Sequence, residues 1–196
     1  MTPLVIQIDL DGVLADFARG FTKLRSKVCS ERALEVPMLQ ANQTVWGECS
    51  DNDTLGNAEA WAALRKDTYF WRVLEPMVEQ REFNRIAYLH QEHYVYFVTA
   101  REGRFAKYQT ECWLVKRGIE NPTVVMTADK AGFMRAAGVQ YAIDDHPGFV
   151  DAMLKVPGAN VYLMDRPYNQ QYDAPGLVRV AELSAFLDVV FLAATR

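Results

Sequence analysis

Cysteine is scarce in this chain: Cys29, Cys49 and Cys112 are the only three in 196 residues. An odd count without metal-ligand spacing, in a chain long enough to bury its own core, excludes a disulfide-stapled scaffold and predicts reduced thiols. Basic charge is not in excess either. With 21 Lys and Arg against 25 Asp and Glu, the formal net charge is −4. The chain lacks the cationic surplus that grips a nucleic-acid backbone, so no polymeric DNA or RNA is expected as a partner. No apolar run approaches the roughly 18 residues a membrane-spanning helix needs, and the richest, residues 189–194, is short. The N-terminus runs straight into an apolar strand and then acidic residues, without the basic leader and cleavage site of a secretion signal. These absences predict a soluble, cytoplasmic protein with no membrane partner. Tandem repeats and low-complexity tracts are also missing.

Half of the residues are apolar, enough for one domain with a sizeable core and room for an inserted subdomain. Short apolar runs at 4–9, 94–99, 123–126, 141–144 and 161–164 alternate with longer helical patterns. That alternation predicts an α/β protein whose parallel sheet is covered by helices on both faces. Val95, Tyr96, Phe97 and Val98 are apolar in succession, as suits a strand buried on both sides. Leu14, Phe17, Phe21, Leu24 and Val28 recur at helical spacing, and so do Phe105, Tyr108, Cys112, Val115 and Ile119. Both sets are expected to face the core, with Cys112 a buried thiol. A last helix fits Leu183, Phe186, Leu187 and Val190. Residues 30–75 break the rhythm and hold Trp46, Trp61 and Trp71. They read as an insertion between a first core segment, 1–29, and a second, 76–196.

Chemistry gathers at the predicted strand ends. The first closes Asp9-Leu10-Asp11-Gly12, two carboxylates at i and i+2 and therefore on one side of an extended chain. Like charges so close call for a cation, a proton or a function, although Asp-Gly after an apolar run is also a common turn. The second strand closes Thr99-Ala100-Arg101, a hydroxyl and backbone N–H groups able to hold phosphoryl oxygens; singly, such a Thr is more often a cap. Lys130 opens a helix after the third strand, and Asp144-Asp145 end the fourth. The second acid pair suits a hard cation with oxygen ligands. Each feature is ordinary alone; their order along one sheet edge is not, because ligands in open α/β sheets bind beyond the carboxyl ends of the strands.

Through Asp9-Leu10-Asp11-Gly12-Val13, Thr99, Lys130 and Asp144-Asp145 the sequence resembles the haloacid dehalogenase superfamily of aspartate-nucleophile phosphatases. It is more closely similar to the 5'(3')-deoxyribonucleotidases within it, through residues 9–17, Tyr69-Phe70-Trp71, Leu74-Glu75-Pro76, Ala128-Asp129-Lys130 and 143–147. Ala100-Arg101-Glu102 departs from the small polar residue and proline of the animal enzymes. The resemblance implies a three-layer Rossmann-like sheet with the insertion as a small helical cap. It implies that Asp9 attacks phosphorus to give an aspartyl-phosphate while Asp11 protonates the leaving oxygen and later deprotonates water. Neighbouring carboxylates are expected to favour the proton that Asp11 needs. Mg²⁺ would be held by the Asp9 carboxylate, the Asp11 backbone carbonyl and one carboxylate of Asp144 and Asp145, a choice that spacing leaves open.

Thr99, the Ala100 N–H and Lys130 would bind the phosphoryl group, and loss of Lys130 is expected to spare the fold while ending turnover. Phe17 matches an apolar base-side residue, with Trp46, Phe70 or Trp71 as further stacking candidates; the alternative is that these rings only fill the cap. Arg101, and Arg104 beside it, would reach a sugar or second phosphate oxygen. His146, before Pro147, is read as a turn residue outside the metal set. The expected substrate is a small phosphate ester, a nucleoside monophosphate, in nucleotide metabolism. Phosphatase action on another small ester or a nucleic-acid 3'-phosphate end is the alternative. A phosphoacceptor signalling module is disfavoured by the order of its motifs, and a non-catalytic nucleotide binder by the presence of both Asp9 and Asp11. The oligomeric state stays open, a homodimer included.

Overall fold

The computed structural model describes residues 2–31 and 56–195. Trp46, Cys49 and most of the expected 30–75 insertion lie outside the described residues. Six strands form one fully parallel sheet: β1 (Val5–Ile8), β2 (Tyr94–Thr99), β3 (Thr123–Met126), β4 (Tyr141–Asp144), β5 (Asn160–Met164) and β6 (Val178–Val180). Their order is β3-β2-β1-β4-β5-β6. The chain leaves β1 toward β2 on one side and later returns to its other side with β4. The crevice beyond the ends of β1 and β4 is thus the topological switch point where such sheets bind ligands.

Around the sheet lie α1 (Phe17–Glu31), α2 (Asn57–Lys66), α3 (Gln80–Glu92), α4 (Ala106–Val115), α5 (Lys130–Ala137), α6 (Pro147–Met153) and α7 (Leu183–Ala194). Alternate strand residues face opposite layers, as the pleat requires. Ile6, Ile8, Val95, Phe97 and Ile143 join a core with side chains of α1, α3, α4 and α7. Ala142, Val161 and Leu163 join a second core with α5 and α6. The three-layer α/β architecture is the one predicted, and among the described residues no helix is long and apolar enough to cross a membrane.

Local chemistry sets the helix starts that matter for the site. Asp129 caps α5, its carboxylate accepting from the Gly132 N–H at 2.8 Å, so that Lys130 is the first helical residue. His146 caps α6 through Nδ1, which accepts from the Gly148 N–H at 3.1 Å, with Pro147 at the first helical position.

The apolar stripe expected on α4 is displaced within the helix, although Ile119 just beyond its end is buried as expected. Tyr108 and Val115 are exposed, Phe105 is partly so and Cys112 is half-buried rather than buried, whereas Gln109, Thr110, Trp113 and Leu114 face inward. The reason is hydrogen bonding. Gln109 accepts from the Trp71 N–H and donates to the Asp67 carbonyl, Thr110 accepts from Arg101, and the Trp113 indole donates to the Leu74 carbonyl. Buried backbone groups of the 67–74 segment need partners, and apolar periodicity cannot register that demand. On α1 the buried line is Phe17, Phe21, Arg25 and Cys29, with Leu24 only partly covered.

Candidate active site

The loop after β1 is wound tightly enough to present two acids at once. The Leu10 carbonyl accepts from the N–H groups of Val13, Leu14 and Ala15, and Gly12 N–H bonds back to the Ala15 carbonyl. Gly12 has φ +79°, and a Cβ there would sit 2.0 Å from Asp145 Oδ2. Only glycine satisfies both the left-handed backbone and the approach of the two acidic loops. Residues 75–77 clasp the loop from outside through Asp16 N–H to the Glu75 carbonyl and Met77 N–H to the Leu14 carbonyl.

Inside this frame Lys130 Nζ lies 2.7 Å from Asp9 Oδ1 and 2.6 Å from Asp144 Oδ2. All three side chains are buried. Burial alone would lower the lysine's pKa, but Asp144 and Asp9 outweigh it and hold Lys130 above its ordinary value, firmly cationic. For Asp9, burial pushes the carboxyl well above its usual range; Lys130 opposes this, and Asp144, Asp145 and Asp11 add to it. Among the described residues, Asp9, Asp144 and Asp145 form a group whose oxygens lie within 4.8 Å of one another. Four carboxyl groups, with Asp11, are set against the cations Lys130 and Arg101. An oxygen-only, buried and over-acidic cluster fits a hard divalent cation.

The two adjacent acids are treated differently. Asp144 accepts from Lys130 on one oxygen and from the His146 N–H, at 2.9 Å, on the other. Asp145 accepts a hydrogen bond from the Tyr168 hydroxyl on Oδ2. Burial, then the charge of Asp145, raises the Tyr168 pKa, keeping the phenol protonated as the donor. A lysine offsets the charge of Asp144, whereas the hydroxyl that reaches Asp145 carries no charge.

Asp11 departs from expectation in its surroundings. Both of its oxygens are held by Arg101, Nε at 2.9 Å and a terminal nitrogen at 2.7 Å. The Arg101 fork also donates to Thr110 at 2.9 Å and lies 4.7 Å over the Trp71 ring. The guanidinium expected to reach a sugar or second phosphate is instead turned inward, fully buried, because a carboxylate, a hydroxyl and an indole face already satisfy it. The side chain in hydrogen-bond contact with Asp11 is thus a cation rather than another acid. Arg104 is exposed, over Phe105.

Asp9, Asp11, Phe17, Thr99, Ala100, Arg101, Lys130 and Asp145 all line one cavity of about 230 Å³. Thr99 is buried at its edge, its hydroxyl accepting from the Arg101 N–H at 3.3 Å, and Ala100 is exposed. Phe17 stacks on Trp71 with centroids 5.5 Å apart and lies 5.6 Å from Trp61. These rings, with Phe149 and His146 from the other rim, give the charged floor an aromatic wall. Phe70 is set back, edge-on to Trp71, and does not line the cavity. Burial lowers the His146 pKa and Lys130 lowers it further, against Asp144.

Phe149, Trp61 and the 166–169 turn were not anticipated as site components. Phe149 packs 4.5 Å from Lys130 Nζ. It sits in the first turn of the helix after an acid pair, as Phe17 does, so the same positional logic would have found it. The turn follows the end of β5, a strand end at the same sheet edge.

No known protein-family model matches the chain, and no curated protein does. Solved structures do. The HAD-hydrolase YfnB from Bacillus subtilis, bound to magnesium, superposes with a TM-score of 0.63 at 11% identity, over 97% of this chain and 100% of that one. A HAD family hydrolase from Deinococcus radiodurans with bound phosphate and sodium gives 0.57 at 15% identity, over 100% and 98%. A 2-haloacid dehalogenase from Pseudomonas syringae gives 0.53 at 14% identity, over 98% and 100%. The chain has the fold of the haloacid dehalogenase-like hydrolases.

Proposed function

We propose that this protein is a Mg²⁺-dependent phosphomonoesterase that dephosphorylates nucleoside monophosphates, deoxyribonucleotides among them, through an aspartyl-phosphate on Asp9. One observation carries the reading: a lysine-bridged carboxylate floor and an aromatic wall share a single cavity. The floor suits a phosphate with its cation, and the wall suits a flat base, for which stacking contributes about 1–3 kcal/mol. The magnesium and the phosphate in structures of the same fold add to it.

In this mechanism Asp9, Asp145 and the Asp11 backbone carbonyl would hold the cation. Of the adjacent pair, Asp145 would be the direct ligand, because both Asp144 oxygens are already engaged, one by Lys130 and the other by the His146 N–H, whereas Lys130 takes one Asp9 oxygen. Bound there, the ion offsets charge on the phosphoryl oxygens. Lys130, Thr99 and the Ala100 N–H orient the phosphoryl group so that an Asp9 oxygen faces phosphorus. The new Asp9–phosphorus bond forms as the ester P–O bond breaks, and the leaving oxygen takes a proton from Asp11. Water then attacks phosphorus, gives its proton back to Asp11, and releases inorganic phosphate and free Asp9. Each Asp11 oxygen has a second lone pair, so one can exchange the proton while Arg101 keeps the carboxylate in place.

The test is phosphate release from ribo- and deoxyribonucleoside monophosphates, sugar phosphates and 3'-phosphorylated oligonucleotides, with Mg²⁺ or chelator, alongside halide release from a 2-haloacid. Nucleotides are expected to lead, and only with Mg²⁺. A sugar phosphate or a 2-haloacid turned over far faster than every nucleotide overturns the substrate assignment.

A further inference from the structure

The turn after β5 reaches back across the sheet edge and touches both acidic loops. Arg166 Nε donates to the Gly12 carbonyl at 2.6 Å, and the Tyr168 hydroxyl donates to Asp145 Oδ2. Asn169 Nδ2 donates to the Asp145 and Met164 carbonyls, each at 2.8 Å. The turn is rigid by its own chemistry. Asn169 Oδ1 accepts from the Arg166 N–H at 3.0 Å and from Arg179 at 3.2 Å, Arg179 donates to the Asn169 carbonyl, and Asn169 is almost wholly buried. The fit is close: a Cβ on Gly12 would meet Asp145 Oδ2 at 2.0 Å and the Tyr168 oxygen at 2.7 Å. A carboxylate that serves a cation must be held in one rotamer without losing its charge. A phenol anchored on a rigid turn holds the Asp145 carboxylate by one oxygen and brings no charge of its own.

We infer that the 166–169 turn is a strut that fixes the acidic loops of β1 and β4 relative to each other, with Tyr168 a positioning residue that orients the Asp145 carboxylate for the divalent ion. The inference rests on the metal reading given under Proposed function. Hydrogen-bond partners of ligating carboxylates typically govern metal affinity by about 10–100-fold.

The test is calorimetric titration of the chelator-stripped full chain with Mg²⁺ alone, for wild type, Tyr168→Phe and Gln170→Ala, with unfolding followed in EDTA. Tyr168→Phe deletes one hydroxyl and keeps the ring. Gln170 directly follows the turn, and its side chain bonds to Asp165 and the Arg166 carbonyl. Tyr168→Phe is expected to weaken Mg²⁺ binding about tenfold or more, with kcat restored at high Mg²⁺ and substrate KM unchanged there. Gln170→Ala is expected to bind as wild type. Wild-type affinity in Tyr168→Phe overturns the positioning role while leaving the metal site standing, and so does an equal loss in both variants. A wild-type chain that takes up no Mg²⁺ overturns the metal reading and this inference with it.

Discussion

Replacing Arg101 with Met tests whether the inward-turned guanidinium is a structural partner of Asp11 or a substrate contact. Its side chain is 0% exposed and that of Asp11 7%, and the fork makes two charge-assisted hydrogen bonds to the acid and one bond to Thr110. Removing one partner of such a buried pair strands the other charge and costs about 3–5 kcal/mol. For a chain of this size each kcal/mol moves Tm by about 2–4 °C, so a drop of roughly 6–20 °C is expected. Asp11→Asn strands the guanidinium in turn. The double variant is therefore expected to lose less than the sum of the two singles, by about 2–3 kcal/mol. Arg101→Lys, which keeps the charge but not the fork, should fall between wild type and Arg101→Met. The assay is urea unfolding in EDTA, which removes any contribution of bound metal. Additive single effects, or a cost for Arg101→Met below about 1 kcal/mol as for an exposed pair, would refute the reasoning and return Arg101 to the substrate side.

Lys130→Met is expected to abolish turnover and, contrary to the intact fold expected from sequence, to destabilise the metal-free protein by about 3–5 kcal/mol, because Asp9 and Asp144 lose the cation they share; unfolding in EDTA measures it. Gly12→Ala is expected to cost about 1–3 kcal/mol for the left-handed backbone alone and to weaken Mg²⁺ binding by displacing Asp145, read by thermal unfolding and metal titration. Asp9 has a raised folded pKa, so ionising it costs the native state. That cost is absent below the unfolded value near 3.9, accrues as pH rises toward the folded value and is constant above it. In EDTA, Asp9→Asn is therefore expected to be more stable than wild type at neutral pH and to lose that advantage in acid; an advantage that grows on acidification contradicts the shift.

What the sequence made legible divides along physical lines. Short apolar runs marked β1 to β5, as suits strands covered on both faces. The three-residue β6, with Arg179 at its centre, carried too little of that signal. The α7 stripe of Leu183, Phe186, Leu187 and Val190 is buried as predicted because it packs into the main apolar core, while the helix's polar contacts with Arg85 fall on Ser184 and Asp188, off the stripe. On α4 the prediction chose the wrong face, because polar partners for Trp71, Asp67 and Arg101 decide which side turns inward. At the site the strand-end rule located Asp9, Asp11, Thr99, Lys130 and Asp145 around one cavity. It could not say that Arg101 would bend back onto Asp11, or that Tyr168 would lie against Asp145, since both pairings are contacts between loops distant in sequence. The commitment of Asp144 to Lys130 is of the same kind.

The central claim is that the Asp9 carboxylate becomes bonded to phosphorus during turnover. Rapid acid quenching of the protein with a ³²P-labelled deoxyribonucleoside monophosphate and Mg²⁺ measures this directly. Acid-stable, hydroxylamine-labile label is expected on the peptide containing Asp9 and none in Asp9→Asn. Turnover without label on wild type, or equal label in Asp9→Asn, would contradict it.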